Sequence, residues 1–141
     1  MDAGADVVVM HGAPLHGVEI YRGRPIFYDL GNFIYNLPPT ITYIDEPMAW
    51  ESVVARLEYR GGVLRAITFS PIVLNVIGDG QPDVHDPHAN NAFLDTRGLP
   101  SPAADVKAGY ILARLATLSE PFGTTLEVAG DSARINLAKD P

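Results

Sequence analysis

Residues 50 to 74 carry the pattern that most constrains the fold: two runs, 50 to 60 and 63 to 74, separated only by Gly61-Gly62. A two-glycine connection supplies the positive φ angles that tight hairpin turns require. Side chains alternate faces along a strand, so Val53, Ala55, Leu57 and Tyr59 fall on one face and Arg56, Glu58 and Arg60 on the other. The pattern predicts an antiparallel hairpin with one buried and one wet face.

The flanking sequence offers more strands and one helix. Val7 to Met10 is an unbroken apolar run, which predicts a strand covered on both faces. Residues 18 to 21 and 25 to 29 flank Arg22-Gly23-Arg24 and predict a second hairpin, with a short strand at Phe33 to Tyr35 after Gly31-Asn32. Residues 78 to 100 have neither helical nor strand period and predict a long loop or flap. Ser101-Pro102 offers an N-cap and an N1 proline for a helix over 101–119. There Ala104, Ala108, Ile111, Leu112, Leu115 and Leu118 recur at helical spacing until Pro121 and Gly123 end it. Residues 124 to 128 and 133 to 137 around Gly130-Asp131 predict a last hairpin. The six tyrosines and the lone Trp50 are expected to pack sheet faces.

These elements predict an α/β, α+β-like domain of mostly antiparallel hairpins plus one long helix, with residues 1–141 forming a single partial domain. Strand Val7 to Met10 follows only six residues, although a doubly covered strand needs neighbours, so further sequence upstream is expected. The alternative is that Met1 is a late start and the product a truncated gene's.

Composition removes several classes of function. A formal charge of −7 without a basic cluster disfavours a phosphate-backbone partner, so no nucleic acid is expected. No apolar run approaches the roughly 20 residues that cross a bilayer, and Asp2 follows Met1 where an export signal would be basic and then apolar. No membrane span is expected in this chain, and a cytoplasmic location is the default for it. Cysteine is absent, which leaves His, Asp, Glu or Asn to hold any metal. The serine-hydrolase elbow, the dinucleotide-binding glycine turn, the P-loop and the zinc-protease helix are all missing.

Two segments gather chemical donors. Met10 to Glu19 places His11 and His16 in a tight loop after a strand, where α/β sheets put ligand sites, and an imidazole there either binds a metal or simply braces a turn. Asp83, His85, Asp86 and His88 are denser in donors, but the stretch is polar, has two prolines that prevent a helix, and is expected to form a solvated loop.

The segment Gly4-Ala-Asp-Val-Val-Val-Met-His11-Gly-Ala-Pro14, followed by Gly17-Val-Glu-Ile-Tyr-Arg-Gly-Arg-Pro-Ile-Phe-Tyr-Asp-Leu-Gly-Asn-Phe33, resembles the CapA-type capsule and poly-gamma-glutamate synthesis family. Ser101 to Val128 is similar to the end of the same family. The resemblance implies the C-terminal half of a calcineurin-like metallophosphoesterase α/β sandwich. That fold gathers ligands for divalent ions such as Mn, Zn or Mg from several strand ends.

By this resemblance His11 corresponds to a metal ligand, and His16, Glu19, Asp29 and Asn32 stand near the catalytic cleft. The family's opening Gly-Asp strand and Asn-His segment have no counterpart here. The loop lacks the second histidine of the family's Gly-His-x-Pro-His form, Met10 replaces a glycine, and Asp29 stands where serine is common. For His16 the shortened loop leaves two placements open, in the site or in solvent, and Glu19 has the same two.

The resemblance implies a capsule- or polymer-biosynthesis fragment of metal-dependent hydrolase ancestry, expected to be inactive alone, from a parent associated with the cell envelope. The other reading is a non-catalytic module that binds an anionic cell-envelope polymer or a biosynthetic partner.

Overall fold

The computed structural model describes residues 1–35, 46–76, 78 and 96–137. The hairpin at its centre is formed by β4 (Glu51–Arg60) and β5 (Val63–Leu74), turned by Gly61 and Gly62 at φ 57° and 77°. Val53, Ala55 and Leu57 face inward as the alternation requires. Tyr59 does not: the register shifts between Glu58 and Tyr59, and the residue is 47% exposed. A bulge of this kind puts two residues opposite one and re-aims the side chains beyond it.

β5 is the spine of a five-stranded sheet. On its other side it pairs with β8 (Ser132–Asn136), which carries β7 (Glu127–Ala129), while β6 (Pro100–Pro102) pairs with residues 72 to 74 of β5. A smaller sheet has the order β1 (Val8–Val9), β3 (Arg24–Phe27), β2 (Val18–Tyr21), with β1 parallel to β3 and β2 antiparallel to it. The architecture is α+β: two largely antiparallel sheets and one long helix, α1 (Asp105–Ser119).

Helix α1 joins the two sheets. Its Ala108, Ile111, Leu112 and Leu115, all fully buried, pack in one cluster with Leu15, Val18 and Phe27 from the small-sheet region and Val53, Ile67, Phe69, Ala133 and Ile135 from the large sheet. Phe27 meets Phe69 edge to face at 6.3 Å between centroids. Each such side chain contributes about 1.5–3 kcal/mol by leaving water, so the sheets hold each other through this cluster. A backbone tie adds to it: Val53 N–H and Ser52 Oγ both donate to the Leu30 carbonyl, at 3.1 and 2.6 Å.

Several sequence expectations need correction. The helix begins at Asp105, not Ser101, because Ser101 and Pro102 are extended against β5. Its N-cap position is Ala104, and the Asp105 N–H is met from across the fold by Asp131 Oδ1 at 3.0 Å. Phe33 to Tyr35 form no strand, and Phe33 and Ile34 are 58% and 62% exposed. The first strand is shorter than expected and pairs on one edge only among the described residues; Val9 is 61% exposed, so it is not covered on both faces. Most of the expected flap at 78–100 lies outside the described residues, but its last part is pinned, with Gly98 N–H donating to Asn75 O at 2.7 Å and Asn75 N–H to Leu99 O at 2.9 Å. No described helix is long and apolar enough to cross a membrane.

One charge cluster around a buried carboxylate ties α1 to β4. Glu51, 7% exposed, accepts from Lys107 Nζ at 2.8 Å and Arg114 Nη1 at 2.5 Å. Burial pushes its carboxyl up, but the hydrogen bonds and charges of Lys107 and Arg114 together outweigh burial and hold it below the ordinary carboxylate value. Arg114 Nε and Nη2 have no partner, so losing the Glu51 charge leaves a largely buried cation unmatched.

Glu51→Gln is therefore expected to cost about 2–3 kcal/mol in urea unfolding at pH 7. A lowered carboxylate pKa gives stability that is complete above the unfolded value and lost as pH falls through the folded one. The gap between wild type and variant should thus hold down to about pH 4.5 and close below it; parallel loss of stability in both proteins would show that the cluster is not responsible.

Candidate functional site

The loop from Met10 to Gly17 leaves β1 and enters β2, and both of its ends are fixed by main-chain pairing. Met10 N–H donates to Phe27 O at 2.9 Å, His16 N–H to Asp29 O at 3.0 Å, and Tyr28 N–H to Gly17 O at 3.2 Å. The β1–β3 and β2–β3 ladders thus continue into the loop. Leu15, 2% exposed, drops into the core and anchors its middle.

His11 stays exposed at the rim of a cleft of about 260 Å³ that it lines with Gly12, Ala13, Asn32, Tyr35 and Ala49. Asn32 is buried and donates through Nδ2 to Ala49 O at 3.0 Å, which joins the residues after β3 to the turn before β4. Asp29 is buried beneath the loop. Its Oδ1 accepts from Gly31 N–H at 2.8 Å, and its Oδ2 lies only 2.4 Å from where a Cβ on Gly12 would stand. Glycine at position 12 is what lets the carboxylate approach the backbone of the histidine loop.

Of the five residues singled out in the sequence, the structure gathers three. His11 and Asn32 line the cleft, and Asp29 abuts Gly12 on its wall. His16 instead opens onto a separate, mostly apolar hollow of about 430 Å³ with Met10, Gly17, Tyr28, Leu118, Pro121 and Phe122. Glu19 accepts a hydrogen bond from the Tyr28 hydroxyl, whose ring stacks on Phe122 at 4.7 Å. That hydrogen bond, with some burial and the Glu19 charge, raises the Tyr28 pKa above its ordinary value, so at neutral pH the phenol is a donor and not a base. His16 and Glu19 thus belong to a different surface from His11.

An imidazole, a carboxylate and an amide are donors that suit a divalent ion. Among the described residues, however, no three His, Cys, Asp or Glu side chains converge. A catalytic zinc centre typically takes three protein ligands, so the described residues alone do not complete one. Asp83, His85, Asp86 and His88 lie outside the described residues. Gly12, Tyr35 and Ala49 had no assigned role in the sequence; Gly12 was legible only as part of the loop motif, and the other two enter the cleft through tertiary packing.

The contact at Gly12 is testable. Gly12→Ala should cost about 1–3 kcal/mol by overpacking against Asp29, and Asp29→Ser should recover much of that loss, since serine keeps an oxygen for the Gly31 N–H. Thermal unfolding of the two single variants and the double checks this; simple additivity would mean that the two positions do not interact.

Comparison with known proteins falls on the same segment. Residues 1–37 match the family model described as bacterial capsule synthesis protein PGA_cap. Two uncharacterized proteins of Sinorhizobium fredii, y4sH and y4uA, are each 32% identical over 91% of the chain and 33% of their own length. The PGA biosynthesis protein CapA of Bacillus subtilis is 50% identical over 36 residues, which are 25% of this chain and 10% of that protein. The chain spans about a third of the length of the two Sinorhizobium relatives. Its amino-terminal segment, residues 1–37, which holds His11, Asp29 and Asn32, is thus similar to that of CapA-type capsule synthesis proteins.

Proposed function

We propose that this chain contributes one wall of the working site of a capsule-biosynthesis protein, in the poly-gamma-glutamate class, with chemistry descended from metal-dependent phosphoesterases. The observation that carries the reading is that the segment that matches the family is the segment that brings His11, Asp29 and Asn32 together at one cleft. In this reading His11 is one ligand of a divalent ion (Mn, Zn or Mg), and further ligands come from sequence beyond the described residues. Alone, the chain is inactive.

The small sheet supports the same reading. β1 has an unpaired edge among the described residues, and Val9 and Met10 beside it are 61% and 51% exposed. An open edge with apolar neighbours is a template for another strand. The relatives' greater length makes further polypeptide of the same protein the natural occupant. The non-catalytic alternative, a module that binds an anionic envelope polymer or a biosynthetic partner, draws on the lack of a three-ligand cluster among the described residues.

Calorimetric titration of the 141-residue chain with Mn²⁺ and Zn²⁺, for wild type and His11→Ala, separates these readings. A partial site should bind weakly, with Kd above about 0.1 mM, and His11→Ala should abolish that binding. Micromolar binding would mean that the chain holds a complete site. Binding indifferent to His11→Ala, or none at all, would favour the non-catalytic module.

A further inference from the structure

Helix α1 has a face that its own fold leaves uncovered. Ala108, Ile111, Leu112, Leu115 and Ser119 form its buried side, and a surface helix normally sets charged and polar residues opposite such a stripe. Here the opposite side, at about 3.6 residues per turn, is Val106, Tyr110, Ala113 and Thr117, with no charge among them. All four are exposed. Val106 and Tyr110, at 72% and 70%, are the most exposed large apolar residues described. Gly109 borders the same face in the middle of the helix, where glycine is less stable than alanine. A Cβ there would meet nothing within 4 Å, so no contact among the described residues requires the glycine.

The positions of the four residues point to what covers them. They are separated by four, three and four positions, the spacing of a coiled-coil seam, and the series reads the same in both directions. A two-fold axis passing between Ile111 and Leu112 therefore sets the stripe against itself. Tyr110 falls opposite Ala113 of the second copy, and Val106 opposite its Thr117. At the centre a large side chain meets a small one, which lets the two surfaces interlock. The helices run antiparallel, so the positive end of each dipole lies beside the negative end of the other. Gly109 and Ala116 form one border of the seam and are small enough for the backbones to come close. Lys107 and Arg114 form the other border, and both are engaged by Glu51 of their own copy.

We propose that the outer face of α1 is a self-association surface, covered by a second copy of this chain through antiparallel packing of α1 on α1. A seam of four side chains per copy falls short of the roughly 1,200 Å² that stable interfaces bury. The dimer is therefore weak, with Kd between about 10 µM and 1 mM, and forms where the protein is concentrated. The inference does not rest on the reading of the His11 cleft.

The chain has no cysteine, so a single introduced thiol can bridge only to a second copy. Across the proposed axis the two copies of residue 113 are offset by three positions, about 4.5 Å along the helix, and the two of residue 106 by eleven, about 16.5 Å. Mild oxidation of the concentrated 141-residue protein should cross-link Ala113→Cys and leave Val106→Cys monomeric on a non-reducing gel. Sedimentation equilibrium should show reversible association of the wild type, weakened at least about tenfold in Tyr110→Glu, which brings two carboxylates together across the axis. Tyr110→Lys should be weakened likewise. An equimolar mixture of these two variants should associate again, because only a self-facing surface places position 110 beside itself. Both substitutions sit at an exposed helix position, so their melting temperatures should stay close to that of wild type.

A wild type that stays monomeric up to about 1 mM overturns the proposal. So does association that survives Tyr110→Glu, which would place the contact elsewhere, such as the open β1 edge. Oppositely charged variants that fail to associate when mixed, or equal cross-linking through residues 106 and 113, overturn it as well. If Tyr110→Glu melts well below wild type, the two cysteine variants, which keep Tyr110, decide the question alone.

Discussion

The arrangement depends on a junction at the C-terminal end of α1. Gly17 lies so close to the chain there that a Cβ would stand 2.1 Å from the Leu118 carbonyl oxygen. Next to it, the Ser119 hydroxyl accepts from Val18 N–H at 3.0 Å and donates to Leu115 O at 2.7 Å, so one buried side chain satisfies a strand donor and a helix acceptor together. A buried donor left unmet would cost about 1–3 kcal/mol, and no side chain larger than hydrogen fits at position 17. The contact sets where β2 starts, and through the hairpin it sets β3, Phe27 and the small sheet against the large one.

The same junction explains why two histidines five positions apart serve different surfaces. Gly17 and Leu118 sit on one side of the loop, with His16 beside them over the Phe122 hollow. Leu15 points into the core, and Gly12 turns toward Asp29, which leaves His11 on the other rim. The floor of the His11 cleft is then stitched by polar contacts that cross between the sheets: Asn32 to Ala49, and Ser52 and Val53 to Leu30. Gly31, at φ 81°, lets the chain pass 2.8 Å from Glu51 O as measured from its would-be Cβ. A cleft framed this way is preorganised by hydrogen bonds that end on main-chain carbonyls.

How legible each element was in the sequence depends on the range of its signal. The β4–β5 hairpin and the buried face of α1 were readable because alternation, helical spacing and the Gly61-Gly62 turn are local. The start of α1 was misplaced because Ser101-Pro102 satisfies a capping pattern locally while β5 claims it as a strand, and the real partner of the Asp105 N–H, Asp131, is 26 residues away. Phe33 to Tyr35 has strand propensity, but propensity needs an edge to pair with, and Tyr35 N–H goes to Gly98 instead. In the site, Asp29 and Asn32 were found through the family motif; Tyr35 and Ala49 carried no site signal, since only tertiary packing brings them to the cleft.

The chain's acidity also has to be weighed by where its charges sit. A formal charge of −7 argues against a polyanion partner if the charge is treated as spread over one sphere. Exposed charges, however, are largely screened beyond about 8 Å at physiological salt, while a buried group is screened far less. The acidic residues of the surface therefore act on the approach of a long polymer in a way that salt weakens, whereas the buried Glu51 carboxylate, held by Arg114 between β4 and α1, is spent inside the fold and keeps its effect at any ordinary ionic strength.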